Sequence, residues 1–495
     1  MKKLLSLLCS ITIVLTACVS FQYNDTGKFH DTDGGFRKTR TTTEETTSKT
    51  TTQPIVTTPA PENNGGRNKP TNGGKQFTIA HWNDSEIPTL LAAFIGKADK
   101  ISGSDSQEAL RLISGEKTST GADINFLRID AYANDAQATI FNLLAGGEEI
   151  DMYATEADYI RNFTDNDNLS AYMYDLGFSD TSWKDAFPYV QTVGRNKDGS
   201  LKGISWNACP GGYAYRTDLA EKYLGVTSPQ AMQEKVSNWD NMEQTATFLK
   251  TVSKGKITIA ASIGGLSQAY TSGNGSFTEK GWQATFTDGY NLNALRFLEL
   301  IKNWSSLGYV RPTQQWTNEW YKQGQEGTTM GYFVSTWGFD TILQNMLFST
   351  MPTTPTTWNV VMGPRAFFWG GTWLCVNPKT DNAEDCHDFI EAISINETTM
   401  SEIAQYKGDF VNNKKVMSKT FVHPNSLGDQ NWSPVLAEVA EKRIYYAYQY
   451  VSAEDAKVTS QFVQAVYDYA VGIYPDISDA YDSFIEKAKE IYSWQ

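Results

Sequence analysis

The order of a few short segments constrains this chain most. "QFTIAHW", starting at Gln76, alternates so that Phe77, Ile79 and His81 share one face of a strand. "ADINFLRI" predicts a second strand. "NDAQATIFNLLAGG" predicts a helix: Asn134 or Asp135 can cap it, Ile140, Leu143 and Leu144 form an apolar stripe, and Gly146 can end it. "EEIDMYA" predicts a third strand. Strand, helix, strand is the rhythm of a parallel sheet with crossover helices, and the handedness of such crossovers leaves few topologies.

The same α/β texture continues to the C-terminus. "NWDNMEQTATFLKTV" spaces Trp239, Met242, Ala246 and Leu249 as one helix face, and "NALRFLELIKNWSSLGYV" ends at Gly308, a residue suited to a helix C-terminus. "MGYFVSTW" and "WNVVMGP" predict short strands; "CHDFIEAISI", "SQFVQAVYDYAVGIY" and "DAYDSFIEKAKEIYSW" predict helices. No repeat of period 20 to 50 is visible. The folded body is about 420 residues, large for a single core, so two lobes are expected.

Residues 18 to 76 have a different composition. "TRTTTEETTSKTTTQPIVTTPAPENNGGRNKPTNGG" offers few apolar side chains to repay the entropy of ordering. This stretch reads as a disordered tether. Ahead of it, Lys2 and Lys3 precede an apolar run from Leu4 to Ala17, too short for a membrane-spanning helix, which needs about 20 residues. Residues 1 to 17 therefore read as a secretory signal. The run stops at "LTAC", which resembles the lipobox of bacterial lipoproteins. That resemblance implies acylation of Cys18 and a lipid anchor on the extracytoplasmic face of the cell membrane.

Charge and cysteine usage exclude several classes. The net charge is −14, and no basic stretch is interleaved with aromatics, so nucleic acid is not an expected partner. Beyond Cys9 and Cys18 only Cys209, Cys375 and Cys386 remain, with no C-x-x-C pair, and the four histidines are scattered. Neither a metal site nor a disulfide scaffold nor any cofactor is expected. A single Cys375–Cys386 bridge stays open.

Five motifs in order resemble the extracellular solute-binding proteins of ABC transporters, family 1, the maltodextrin-binding-like group. They are "NLLAGGEEIDMYA", "GYAYRTDLAEKYLGV", "SNWDNMEQTATFLK", "ALRFLELIKNWSSLGYV" followed by "GYFVSTWGF", and "WNVVMGPRAFFWGGTWLCVNPKTDNAEDCHDFIEAIS". The departures are Arg216, where Asn is usual, and Glu148-Glu149-Ile150-Asp151, where the family has a proline before its aspartate. The resemblance implies a two-lobe, type II periplasmic-binding-protein-like α/β fold with a hinge and an interlobe ligand cleft. Lobe 1 is expected from 77–208 plus 370–413, and lobe 2 from 209–369 plus 414–495. Chain crossings are expected near Asn207–Gly211, Ala366–Gly371 and Val411–Lys415. Cys209-Pro210-Gly211-Gly212 and Trp369-Gly370-Gly371-Thr372 agree, because Gly/Pro breaks absorb hinge dihedral changes.

A sugar presents C–H faces that pack on aromatic rings and hydroxyls that donate and accept hydrogen bonds. Candidate ligand contacts are therefore the Trp- and acid-bearing loops at strand ends. They are Trp82, Asn83 and Asp84 after the first strand, Tyr153 and Glu156 at the third, and Trp206 and Asn207 beside a crossing. Trp337 matches the family's stacking tryptophan; Trp369 and Trp373 flank a glycine pair, with Trp369 favoured for the cleft. Asp84 or Glu156 as plain helix caps, and any of the tryptophans as core, are the competing structural roles. The expected function is non-catalytic: a monomeric lipoprotein that hands an oligosaccharide to an ABC permease. A secreted glycoside hydrolase, a binder of a non-sugar solute and a surface adhesin are the other readings. A hydrolase would need two carboxylates about 5 to 10 Å apart.

Overall fold

The computed structural model describes residues 67–101, 106–130, 133–271, 282, 291–344, 346, 358–419, 430–443 and 452–492. Cys18, the leader and the segment up to residue 66 lie outside them. Among the described residues there are nine strands: β1 (Gln76–His81), β2 (Asp123–Arg128), β3 (Met152–Glu156), β4 (Gly203–Ile204), β5 (Pro210–Arg216), β6 (Gly331–Ser335), β7 (Trp358–Val361), β8 (Phe367–Phe368) and β9 (Thr372–Val376).

The first sheet has the order β2-β1-β3-β9-β4. β1 pairs in parallel with β2, with Phe77 opposite Ile124 and Ile79 opposite Phe126, and in parallel with β3. β9 runs antiparallel to both β3 and β4. Alternation anticipated one buried face of β1. In fact every residue from Phe77 to His81 is buried, because helices cover both sides of the sheet. Phe77 and Ile79 belong to the core that includes helix Glu86–Phe94, whereas Ala80 and Tyr153 face helix Ala133–Gly146.

The second sheet is built on β5, with β6, β7 and the short β8 all antiparallel to it. The parallel rhythm read at the start of the chain therefore does not extend to this lobe; its parallel pairings are single bridges, Thr258–Thr329 and Ala260–Val310. Helices Trp239–Ser253, Leu292–Ser306, Asp455–Val471 and Ile477–Ile491 supply the surrounding core. Met242, Ala246 and Leu249 are buried as the helical spacing requires, and Gly308 takes the left-handed conformation that ends Leu292–Ser306.

Three segments pass between the lobes and brace one another. The Ala208 N–H donates to the Phe410 carbonyl at 2.8 Å, and the Asn412 N–H donates to that of Trp206 at 2.7 Å. The Trp369 N–H donates to the Cys209 carbonyl at 3.1 Å. Beyond the third segment, helix Lys414–Met417 still rests on the first lobe, with the Lys415 ammonium 2.8 Å from Asp185 and 3.0 Å from Glu397.

Residues 67–75, grouped by composition with the low-complexity stretch, lie against the first lobe. The Thr71 N–H donates to the Thr380 carbonyl at 2.9 Å, Gly74 N–H to Asp381 at 2.8 Å, and Ala383 N–H back to Thr71 at 2.8 Å. Arg67 forms an ion pair with Asp175 and sits over the Tyr172 ring, 4.7 Å from its centroid. This strap lies where β1 begins, at the pole opposite the strand ends that carry Trp82 and Glu156. Cys209, Cys375 and Cys386 are buried free thiols, so no Cys375–Cys386 bridge forms. Among the described residues no helix is long and apolar enough to cross a membrane.

Candidate ligand-binding cleft

The first wall begins where β1 ends. His81 Nδ1 accepts the Asn83 N–H at 2.7 Å, which leaves the proton on Nε2, 3.1 Å from Glu86 Oε2. The Trp82 ring stacks on His81 at 4.3 Å and 20° and is half-buried. Asn83 Oδ1 accepts from both the Ser85 N–H and hydroxyl at 2.8 Å, so Asn83, not Asp84, shapes the turn that starts helix Glu86–Phe94. Asp84 instead pairs with Arg128 at 2.8 Å.

Behind this wall sits a charged network. Lys407 Nζ donates to both Asp409 oxygens at 2.6 Å, and Asp409 Oδ2 also accepts the Trp206 indole N–H at 2.8 Å. Burial pushes the Glu86 carboxyl up, but the His81 hydrogen bond and the Lys407 charge outweigh it and hold it below its ordinary value. Burial likewise opposes the Lys407 charge, yet Asp409 and Glu86 raise its pKa. This network ties β1, helix Glu86–Phe94 and two of the crossing segments into one unit.

Glu156 closes β3 on the same wall. Burial first, then the charge of Asp158, push its carboxyl up to about 8. A β-carbon placed on Gly370 would stand 3.8 Å from Glu156 Oε1 and 3.2 Å from Trp337 Nε1. Glu156 from the first lobe and Trp337 from the second therefore border the same space at a crossing. Gly370 and Gly371 make this approach possible: both take φ values in the left-handed region, 68° and 110°, and neither fills the gap.

The opposite wall is aromatic. The Trp337 N–H donates to the Trp369 carbonyl at 2.8 Å, and the two rings meet edge to face at 4.9 Å. Trp316 lies nearly parallel to Trp337, at 5.9 Å and 13°, and also meets Trp369 at 5.9 Å. Trp320, buried beneath, supports Trp316 at 5.5 Å. Trp316 is 41 % exposed and holds φ 68°, a left-handed conformation costly for a bulky residue. An exposed indole held in that backbone state marks a position where orientation outweighs local strain.

The candidate residues thus separate. Trp337, Trp369 and Glu156 come together, with Trp82, Asn83 and Asp84 at the neighbouring end of β1. Tyr153 is not a cleft residue: β3 points it into the core, where its hydroxyl meets the Leu169 carbonyl and Ser170. Trp206 is fully buried and holds Asp409. Trp373 is 2 % exposed, and its N–H donates to the Val190 carbonyl. Asn207 belongs to a crossing, bridged to Val411 with its side chain on Ser205. Sequence reasoning missed Trp316, whose one local signal is its place just ahead of Thr317, the cap of helix Asn318–Glu326. It also missed the Glu86–Lys407–Asp409 network. Among the described residues no group of three His, Cys, Asp or Glu is placed to hold a metal ion.

A family model described as bacterial extracellular solute-binding protein matches residues 117–425. No curated protein matches the sequence. Among solved structures, the chain is similar to an extracellular solute-binding protein of family 1, with TM-score 0.66 and 15 % identity over 84 % of this chain and 99 % of that one. It is similar to the sugar-binding protein MalE of Xanthomonas citri, with TM-score 0.63 and 14 % identity over 84 % and 97 %. A third is the cyclic alpha-maltosyl-1,6-maltose binding protein of Arthrobacter globiformis, with TM-score 0.58 and 13 % identity over 85 % and 99 %.

Proposed function

The chain belongs to the bacterial extracellular solute-binding protein family, and on that premise we propose that it is the substrate-binding lipoprotein of an ABC importer, holding an oligosaccharide between its two lobes. The observation that carries this reading is the Trp316–Trp337–Trp369 array facing Glu156 at a lobe crossing. Flat indole faces suit the C–H surfaces of sugar rings, and carboxyl oxygens suit their hydroxyls. Several platforms are needed: an affinity near 1 μM requires about −8 kcal/mol, and an aromatic pair adds only about 0.5 to 1.5 kcal/mol beyond its buried area. The structural relatives named for sugar binding support the same class.

In this reading Cys18 carries the lipid that keeps the protein at the outer face of the membrane, and the protein works as a monomer without turning its ligand over. Ligand binds both lobes only when they close, so it draws the population toward the closed form. The testing experiment is calorimetric titration with a panel of oligosaccharides, with product analysis of each sample. Saturable binding with intact sugar is the expected result; hydrolysis would place the protein among the glycosidases.

A further inference from the structure

We propose that Gly264 and Gln315 form a lock that presets the Trp316 ring in the cleft before any ligand arrives. Both act as positioning residues for the indole array, through Trp316 and not through contact with the ligand. This deepens the carbohydrate reading, and its consequence for affinity rests on that reading.

Gly264 has no backbone reason to be glycine. It lies in the first turn of helix Ile263–Thr271 and is not among the glycines with positive φ. The turn is already capped, since the Gly265 N–H donates to the Ser262 hydroxyl at 3.2 Å. At a helical position of this kind alanine is the more stable residue. What the glycine provides is room. A β-carbon there would collide with Gln315 Oε1 and stand 2.9 Å from its Cδ and 3.2 Å from its Cγ. The Gln315 side chain thus lies flat on the helix, in the space a methyl group would take.

Gln315 is held there by fit. Its amide nitrogen is closed off from water and has no hydrogen-bond partner. Leaving a buried donor unpaired costs stability, so the seat on Gly264 does not serve the amide. It serves the neighbouring backbone.

Trp316 follows directly, exposed and at φ 68°. A bulky residue keeps such a backbone only where its surroundings over-determine it. Here both flanks are pinned. Ahead of the ring, Gln315 is wedged on Gly264. Behind it, the Thr317 hydroxyl donates to the Gln314 carbonyl at 2.8 Å and accepts the Trp320 N–H at 3.3 Å. Trp320 lies 5.5 Å from the Trp316 ring, and its carbonyl accepts the Tyr332 hydroxyl at 2.6 Å. The Trp316 ring is therefore set nearly parallel to Trp337 by the chain itself. A platform ordered in advance spares the ligand the cost of ordering it.

The test is fluorine NMR of the full chain in detergent, labelled with fluorotryptophan, with the Trp316 line assigned through Trp316→Phe. In the ligand-free parent that line should be single and sharp. Gly264→Ala puts a methyl group where the Gln315 amide lies; it should shift or broaden the line and bring no gain in melting temperature. Adding Gln315→Ala removes the clashing atoms and lets the methyl fill the seat, so the double variant should recover most of the parent line. By calorimetric titration, maltotetraose should bind Gly264→Ala about tenfold or more weaker than the parent, about 1.4 kcal/mol, and the double variant should regain part of that loss. A Trp316 line unmoved by Gly264→Ala overturns the lock. A displaced line with unchanged maltotetraose affinity overturns the positioning role and removes Trp316 from the binding site. A parent that does not bind maltotetraose counts against the carbohydrate reading alone, and the fluorine lines decide the lock as before. If Gly264→Ala does not fold, Gln315→Ala alone empties the seat: a broadened Trp316 line supports the lock and an unmoved one overturns it.

Discussion

The indole N–H of Trp337 donates to the Trp369 carbonyl at 2.8 Å, so the ring of one lobe is fixed to a segment that crosses between them. Trp337 is thereby oriented without being buried in the core. Trp337→Ala should weaken oligosaccharide binding by about tenfold or more, about 1.4 kcal/mol, while the ligand-free protein melts within a few degrees of the parent. Trp373→Ala should do the reverse, costing about 3 to 5 kcal/mol of stability, as for other buried tryptophans. Calorimetric titration beside melting curves separates them; a large stability loss at Trp337 with unchanged affinity would make it a packing residue.

Trp316 holds φ 68° with its ring on Trp337. Glycine relieves the left-handed backbone and alanine does not. Trp316→Gly should therefore be more stable than Trp316→Ala by about 1 kcal/mol, while both weaken ligand binding alike. Urea unfolding measures the first difference and titration the second. Equal stability of the two variants would mean the loop relaxes to another conformation.

The Glu156 carboxyl titrates at about 8, above its ordinary 4.5. The sign follows from linkage: the folded state binds a proton that the unfolded state has lost. Glu156 therefore favours the fold below about pH 4.5, and that contribution fades as pH rises toward 8. Glu156→Gln should gain melting temperature relative to the parent at pH 8.5 and show little gain at pH 4.5. A parent–variant difference that does not change with pH would rule out the raised carboxyl.

Lys407 is 8 % exposed and holds Asp409 on both oxygens. Lys407→Met should cost about 3 to 5 kcal/mol, because it leaves buried carboxylates without their counter-charge. The double variant Lys407→Met with Asp409→Asn should recover part of that loss. Denaturant unfolding of the single and double variants tests the coupling; purely additive losses would show that the two groups act separately.

Cys18 is the proposed lipid site. Cys18→Ala should release the protein into the medium or leave an unprocessed precursor, read by fractionation and mass. Normal membrane retention would remove the lipid anchor from the proposed function.

The beginning of the first lobe was legible because its signals are local. Alternation placed β1, the segments read as strands proved to be β2 and β3, and in the second lobe helical spacing placed the buried Met242 and Leu249. Trp337 was proposed from its strand-loop motif, and the structure sets it half-buried against Trp369. Tyr153 was misplaced by parity: three residues apart on β3, Tyr153 and Glu156 point to opposite faces, and only the second reaches the space beside Gly370. Trp316 was not legible, since nothing in its own sequence propensity predicts the left-handed backbone that goes with its ring lying on Trp337. The Glu86–Lys407–Asp409 network joins residues too distant in sequence for any spacing rule. Residues 67–75 looked unable to order because composition counts apolar area, whereas this strap is held by backbone hydrogen bonds and one arginine.

That strap also settles where mechanical load enters the molecule. Any pull from the chain ahead of Arg67 meets the Asp175 ion pair and the Thr71 and Gly74 backbone bonds first, at the pole of the first lobe remote from the crossings. That contact joins the strap to the start of β1 and to helix Ala383–Ser394, both of the first lobe. Were the chain anchored through Cys18 as proposed, the pull would enter at the first lobe, on the side away from the strand ends that carry Trp82 and Glu156.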